Sequence, residues 1–401
     1  MGVLGFLSAA LRPGHPNFLD LPWDHPLSDW AGRTPRLEDL PRGESRHPVV
    51  FVGYEEGIYA LKALPPGRAE QEYELLKGME EQRLPVVEPV GRISAATAAG
   101  ESSVLVTRYL ERSLPYQALF LQADLHRYRD QMLDALAGLL VQLHLAGAYW
   151  GDCSLANTLF RRDAAALEAF LVDAETSELT QSLSDLRRHH DLDVMEENVG
   201  GALYDLLALG ALPAGLEVPA TGQQVRRRYE ELWREINAEL VIGKGDSYQI
   251  QERVRRLNAL GFSVGEIALS EAGGQLRLKV LVTDRHFHRD RLLSLTGLDA
   301  GERQAELLMN EVQRVRMVLS EERQRSTSLT AAAFHWRERI YGPAVEQLKL
   351  ALGPDLSAVE RYCELLEHKW FLSERARADV GLAAALEDYV RRFAPPDQGA
   401  K

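Results

Sequence analysis

YWGDCSLANTLF (149–160) and LVDAE (171–175) are the stretches that decide how this chain is read. The first sets Asp152 and Asn157 in the spacing D-x-x-x-x-N. It follows directly on an apolar stripe at helical spacing (Leu125, Tyr128, Met132, Leu136, Leu139, Leu140, Leu143) that ends near Gly147. TLFRR and AFLVD then read as a short strand pair, which leaves Asp173 at a strand end. Upstream, VVFVG and GIYALKAL read as a hairpin whose turn is bracketed by Gly53 and Gly57, with Lys62 on its second strand. PPG (65–67) ends that strand, and the periodicity predicts a helix from about 69 to 82. On it Glu72, Leu75, Leu76 and Met79 fall at i, i+3, i+4 and i+7, so one carboxylate shares the buried stripe. A Lys62–Glu72 ion pair is the expected consequence.

Transfer of a phosphoryl group from ATP requires this set of groups. A lysine holds the phosphates and a carboxylate holds the lysine. A second carboxylate orients the acceptor hydroxyl, and an Asn with a third carboxylate binds the metal. Any one of them arises often by chance; the order, the element beneath each residue and the spacings together do not. Residues 48–240 resemble the protein-kinase-like superfamily. The resemblance is greatest to its small-molecule branch, which includes lipopolysaccharide core kinases and aminoglycoside phosphotransferases. There YWGDCSLANTLF stands in the place of H-G-D-x-x-x-x-N, and LVDAE in that of I-D-[FW]-E. The whole chain further resembles a bacterial lipopolysaccharide-kinase-like family with an extra C-terminal domain, through RLNALGF, LLSLTGLDAGERQAELLMNE and LLEHKWFLSE.

The resemblance implies Asp152 as the catalytic base and Asn157 and Asp173 as magnesium ligands. It implies Lys62 as the ATP-phosphate clamp, Glu72 as its partner, and Gly53 and Gly57 as the remnant of a glycine loop. That loop is reduced to GYEEG. Trp150 replaces the usual His, Ser154 takes a position often held by Lys or His, and Ala174-Glu175 replaces Phe-Gly. The expected function is an ATP- and Mg²⁺-dependent phosphotransferase acting on a hydroxyl of an unidentified acceptor. The alternative is a catalytically weak nucleotide-binding module that acts through a protein partner of its C-terminal domain.

The expected architecture is α+β. It comprises an irregular N-terminal arm (1–45), a kinase-like N-lobe (46–109), a helical C-lobe (110–240) and a mostly helical C-terminal domain with a β-hairpin (241–401). VPATG (218–222) reads as a loop within the C-lobe, and Gly353-Pro354 as a break between helices. At 401 residues the chain exceeds one domain of roughly 150. Its 45% hydrophobic and 26% charged content excludes wholesale disorder. A net charge of −13 with no basic patch argues against nucleic acid as a partner. Two cysteines, Cys153 and Cys363, exclude a disulfide scaffold and fit a cytoplasmic location. No apolar run is long enough to span a membrane. MGVLGFLSAALRPG lacks the form of a secretory signal and is expected to pack on the protein.

Two further clusters carry side chains that can ligate a metal. HHDLD (189–193) can be read as a metal site through His189 and His190. The preferred reading is structural, with Asp191 bracing the catalytic loop. DRHFHRD (284–290) places His286 and His288 on one face if the preceding strand continues, which suits zinc; ion pairs of Asp284 and Asp290 with Arg285 and Arg289 suit it equally. Cys153, beside Asp152, is a small packing residue that could serve as a chemical probe.

Overall fold

A computed structural model describes residues 5–40, 46–97, 100–122, 128–164, 166–210, 212, 218–242, 247–272, 275–353 and 357–393. Leu125 of the predicted stripe and the 273–274 turn lie outside them. The chain divides into two compact units. One comprises residues 1–162 and 167–235, the other 163–166 and 236–401.

The first unit opens with a six-stranded antiparallel sheet. Its strands are β1 (Phe6–Leu11), β2 (Leu37–Glu38), β3 (Val49–Tyr54), β4 (Gly57–Leu64), β5 (Pro89–Thr97) and β6 (Gly100–Arg108), in the order β1-β5-β6-β4-β3-β2. Alternation along β4 sends Tyr59, Leu61 and Ala63 to one face and Lys62 to the other. Residues 12–36, between β1 and β2, cover the first face: Phe18, Leu21, Trp23, Leu27 and Trp30 pack on Val52, Tyr59, Leu61, Val90, Ile93 and Val106. The N-terminal segment is therefore more than an irregular arm. It supplies two strands and the aromatic cover of the sheet. At Gly91 a Cβ would lie 2.3 Å from the Ala10 carbonyl oxygen, so only glycine lets β1 approach.

Helix α1 (Arg68–Glu81) lies on the other face and buries Glu72, Tyr73, Leu76 and Met79. A helical lobe follows. Helices α2 (Tyr116–Leu121) and α3 (Arg129–Leu145) precede the D-x-x-x-x-N motif. The strand pair β9 (Thr158–Asp163) and β10 (Ala166–Leu171) comes after it, in one small sheet with β7 (Ser113–Pro115). The two-stranded β8 (Ala148–Tyr149) and β11 (Glu178–Leu179) flank the loop. Helix α4 (Asp185–Ala208) then packs with α5 (Val218–Asn237). VPATG is the first turn of α5 rather than a loop. Proline is tolerated at a helix start because the first N–H groups have no intrahelical acceptor. Gly222 abuts the Glu196 Cα on α4, where its missing Cβ would lie at 3.0 Å.

In the second unit, β12 (Leu240–Ile242) precedes α6 (Ser247–Ala259) and forms an antiparallel sheet with β13 (Val264–Ala272) and β14 (Gln275–Val282), which follow it. The strand does not run on through DRHFHRD. His286 stands at the N-cap position of α7 (Phe287–Thr296) without a side-chain capping bond, His288 lies within the helix, and the carboxylate of Glu302 accepts the backbone N–H groups of His288 and Arg289 at 2.9 and 3.0 Å. A same-face zinc pair on a strand is thereby excluded. Helices α8 (Glu302–Glu322), α9 (Leu329–Trp336), α10 (Gly342–Leu352), α11 (Ala358–Ala376) and α12 (Leu382–Phe393) enclose a core around Trp336, Tyr341 and Tyr362. Buried Asp163 caps α8, accepting from the Arg303 and Gln304 amides at 2.8 and 2.9 Å, and a Cβ on Gly301 would collide with it. Asp163→Ala leaves both donors buried without an acceptor. Thermal unfolding of this unit should show a loss of about 1–3 kcal/mol.

Candidate active site

The sheet and α1 converge on one ammonium group. Lys62 Nζ lies 3.1 Å from Glu72 Oε2 and 2.7 Å from Asp173 Oδ2. Glu72 Oε1 also accepts the Ala174 amide at 3.2 Å, so the carboxylate reaches from the helix to the loop after β10. Its side chain is 1% exposed. Burial is the largest influence on it and pushes the Glu72 carboxyl up to about 7, against the pull of Lys62; nearby Asp173 pushes the same way as burial. Lys62 is also mostly buried. Burial alone lowers an ammonium, but Glu72 and Asp173 outweigh it and hold the Lys62 pKa above its usual value.

The second half of the site is the loop after β8. The Val172 amide donates to the Asn157 carbonyl at 3.1 Å, which brings the residue before Asp173 alongside Asn157. Asn157 Nδ2 donates to both the carbonyl and the Oδ2 of Asp152 at 3.2 Å. The Ser154 hydroxyl accepts the Asn157 amide at 3.1 Å, so it closes the turn instead of offering a cation. Asp173 and Asn157 together provide hard oxygen donors of the kind that hold Mg²⁺.

Asp191, fully buried on α4, accepts from the Trp150 and Gly151 amides at 2.8 Å each and from His144 Nε2 at 3.2 Å. Because a carboxylate only accepts, His144 carries its proton on Nε2, and its Nδ1 accepts from the Tyr229 hydroxyl at 2.8 Å. Burial holds the imidazole of His144 below its ordinary pKa, and Asp191 opposes this in part. Trp150 is buried and its carbonyl accepts the Thr176 and Ser177 hydroxyls. Gly151 has φ 81°, and a Cβ there would lie 2.7 Å from the Thr176 carbonyl oxygen. His189 and His190 point to different partners, the Asp185 carbonyl and the Tyr149 hydroxyl.

Lys62, Glu72, Asp152, Asn157 and Asp173 are thus linked through two bonded groups of atoms. Gly53 and Gly57 are not part of either. The β3–β4 register pairs Gly53 with Ile58 and Tyr54 with Gly57, but Val49 with Lys62. The GYEEG turn therefore lies five residues along the strand from Lys62, about 17 Å at roughly 3.3 Å per residue. It sits beside Arg108, whose guanidinium donates to the Glu56 carbonyl at 3.0 Å. Gly53 abuts the Glu38 carboxylate. The segment that does reach the site precedes β3: the Pro48 carbonyl accepts the Ala63 amide, and His47 Nε2 lies 3.3 Å from Glu175. The placement of Gly53 and Gly57 at the far end of the hairpin from Lys62 does not favour a phosphate-covering role for them.

Residues 56–211 match the model of the lipopolysaccharide kinase (Kdo/WaaP) family. This is a kinase-like domain. Residues 231–394 match a second model, described as a domain of unknown function (DUF4032). The chain thus joins a kinase-like region similar to the lipopolysaccharide kinase family to a C-terminal region similar to that second model. A solved structure of WaaP in complex with acyl carrier protein is similar at 15% identity, with a TM-score of 0.38, over 63% of this chain and 99% of that one. No curated protein matches. Among the described residues no helix is long and apolar enough to cross a membrane.

Asn198 on α4 escaped the sequence reading; its Nδ2 donates to Asp152 Oδ1 at 3.0 Å and to the Cys153 carbonyl at 3.1 Å. The signal was present, because Asn198 lies seven residues, two helical turns, beyond Asp191. Cys153 is fully buried, and burial followed by Asp191 pushes its thiol well above the ordinary range. It is a poor probe of the open site. Iodoacetamide should label neither Cys153 nor Cys363 in the native protein, since both are buried free thiols, and both should react once the chain is unfolded. Mass spectrometry of the native protein showing rapid Cys153 alkylation would contradict its placement.

Proposed function

We propose that the kinase-like domain transfers the γ-phosphoryl group of ATP to a hydroxyl of an acceptor molecule. The observation that carries this reading is the Lys62 ammonium held between Glu72 and Asp173. A lysine fixed by two carboxylates has one position, so the phosphates it receives are aligned without further ordering. In the proposed step the acceptor oxygen bonds to the γ-phosphorus. The bond from that phosphorus to the β,γ-bridging oxygen breaks, and ADP leaves with the electron pair. Asp152 orients the acceptor hydroxyl and takes its proton. Mg²⁺, when bound, neutralises charge developing on the phosphate oxygens. Asp173 and Asn157 are the oxygen donors suited to hold it, and Lys62 exchanges part of its contact with Asp173 for phosphate. The reading implies a compartment that supplies ATP, and we assign the protein to the cytoplasm. Nothing in the site selects lipopolysaccharide as the acceptor.

Two substitutions separate transfer from binding. Asp152→Ala should lower Mg²⁺-dependent ATP turnover on the order of 10²-fold or more while leaving ATP affinity about unchanged. Lys62→Ala should weaken ATP binding itself. A regulatory nucleotide-binding module gives the reverse in cells: Asp152→Ala complements and Lys62→Ala does not.

Chelation tests the metal. EDTA should abolish turnover, and Asp173→Asn should remove the Mg²⁺-dependent part of ATP affinity in a calorimetric titration with the fold retained. ATP affinity indifferent to both would remove Asp173 and Asn157 from the metal site.

A further inference from the structure

The Asp152 carboxylate is gripped from both sides by neutral amides. Asn157 reaches its Oδ2 from within the loop, and Asn198 reaches its Oδ1 from helix α4. A carboxylate offers about four lone-pair sites, so each oxygen keeps one for an acceptor hydroxyl. Rotation of the carboxylate about its own axis breaks both bonds at once. Among the described residues no Lys, Arg or His forms an ion pair with Asp152, and the Ser154 hydroxyl is occupied by the Asn157 amide. The orientation of Asp152 therefore rests on the two carboxamides alone.

Helix α4 is the rigid part of this arrangement. Asp191 fixes the amides of Trp150 and Gly151, and Asn198, two turns on, fixes the next side chain and the next carbonyl. Met195 and Val199, fully buried beside them, and the contact of Gly222 with Glu196 keep the helix from shifting along its axis. One helix face thus sets four consecutive residues of the loop, 150–153.

We infer that Asn198 is a positioning residue for phosphoryl transfer, acting on the reaction only through the Asp152 carboxylate. The inference rests on the phosphotransferase reading above. Its alternative is a purely structural role, in which the bond to the Cys153 carbonyl knits α4 to the loop.

A double-mutant cycle separates the two, read as ADP release from Mg·ATP by the full chain with water as the acceptor. Asn198→Ala should lower kcat about 10- to 100-fold, while KM for ATP and the thermal shift produced by Mg·ATP stay within about threefold. Asn198→Asp should be slower still, because it sets a like charge against Asp152 Oδ1. In an Asp152→Ala background, Asn198→Ala should cause no further loss, since the group it orients is gone. Equal fractional losses in both backgrounds, or a matching loss of ATP binding, overturn the inference and leave the phosphotransferase reading intact. If Asn198→Ala does not fold, the near-isosteric Asn198→Asp carries the same cycle. A wild-type chain that binds ATP without Mg²⁺-dependent turnover overturns the phosphotransferase reading, and this inference with it.

Discussion

One buried ammonium group ties the kinase-like domain together. Lys62 belongs to β4, Glu72 to α1, and Asp173 to the loop that leaves β10, and a single positive charge satisfies both carboxylates. Burying one lysine with two carboxylates leaves net negative charge in a partly desolvated place. The raised carboxyl of Glu72 expresses that cost. The cluster is stable because the Ala174 amide adds a further donor and because the sheet and helix are held independently by their own cores. It is also poised, since an anion arriving at Lys62 and a cation arriving at Asp173 would both relieve the imbalance.

The loop that carries Asp152 and Asn157 is organised by a different device. Its backbone is held from behind by Asp191, a carboxylate that gains at least three donors in exchange for complete burial. His144 and Tyr229 extend the network from α3 to α5, and Tyr229 stacks on Trp233. Position 150 is occupied by a tryptophan. Trp150 fills the space with a buried indole whose Nε1–H has no hydrogen-bond partner among the described residues, while its backbone carbonyl collects two hydroxyl donors. The backbone at position 150 is thus tied to the segment after Asp173 by two hydroxyl donors.

The second unit has a core of its own, in which Trp336, Tyr341 and Tyr362 meet at centroid distances of 4.9–6.0 Å. Between α9 and α10 the helix widens into a π-turn at Arg337–Tyr341, where the Gly342 amide reaches back to the Arg337 carbonyl. Pro343 has no N–H to continue the regular ladder, which accounts for the slip. The widened turn carries Tyr341 into the aromatic cluster.

The sequence by itself determined the order of the chemistry. Lys62, Glu72, Asp152, Asn157 and Asp173 were each legible because local pattern places them: a strand, an amphipathic helix, a loop after a helix and a strand end. The β13–β14 hairpin and the break at Gly353 were legible for the same reason. Only the tertiary structure decided the rest. Strands as short as β2 and as exposed as β1 carry no period of their own and exist because neighbouring strands offer unpaired backbone groups. VPATG is helical, and its glycine lies against Glu196 of α4, a contact no local propensity contains. Asn198 joined Asp152 across 46 residues of chain. Spacing along a sequence fixes which residues share a face, whereas the partner that face meets is chosen by packing between elements distant in the chain.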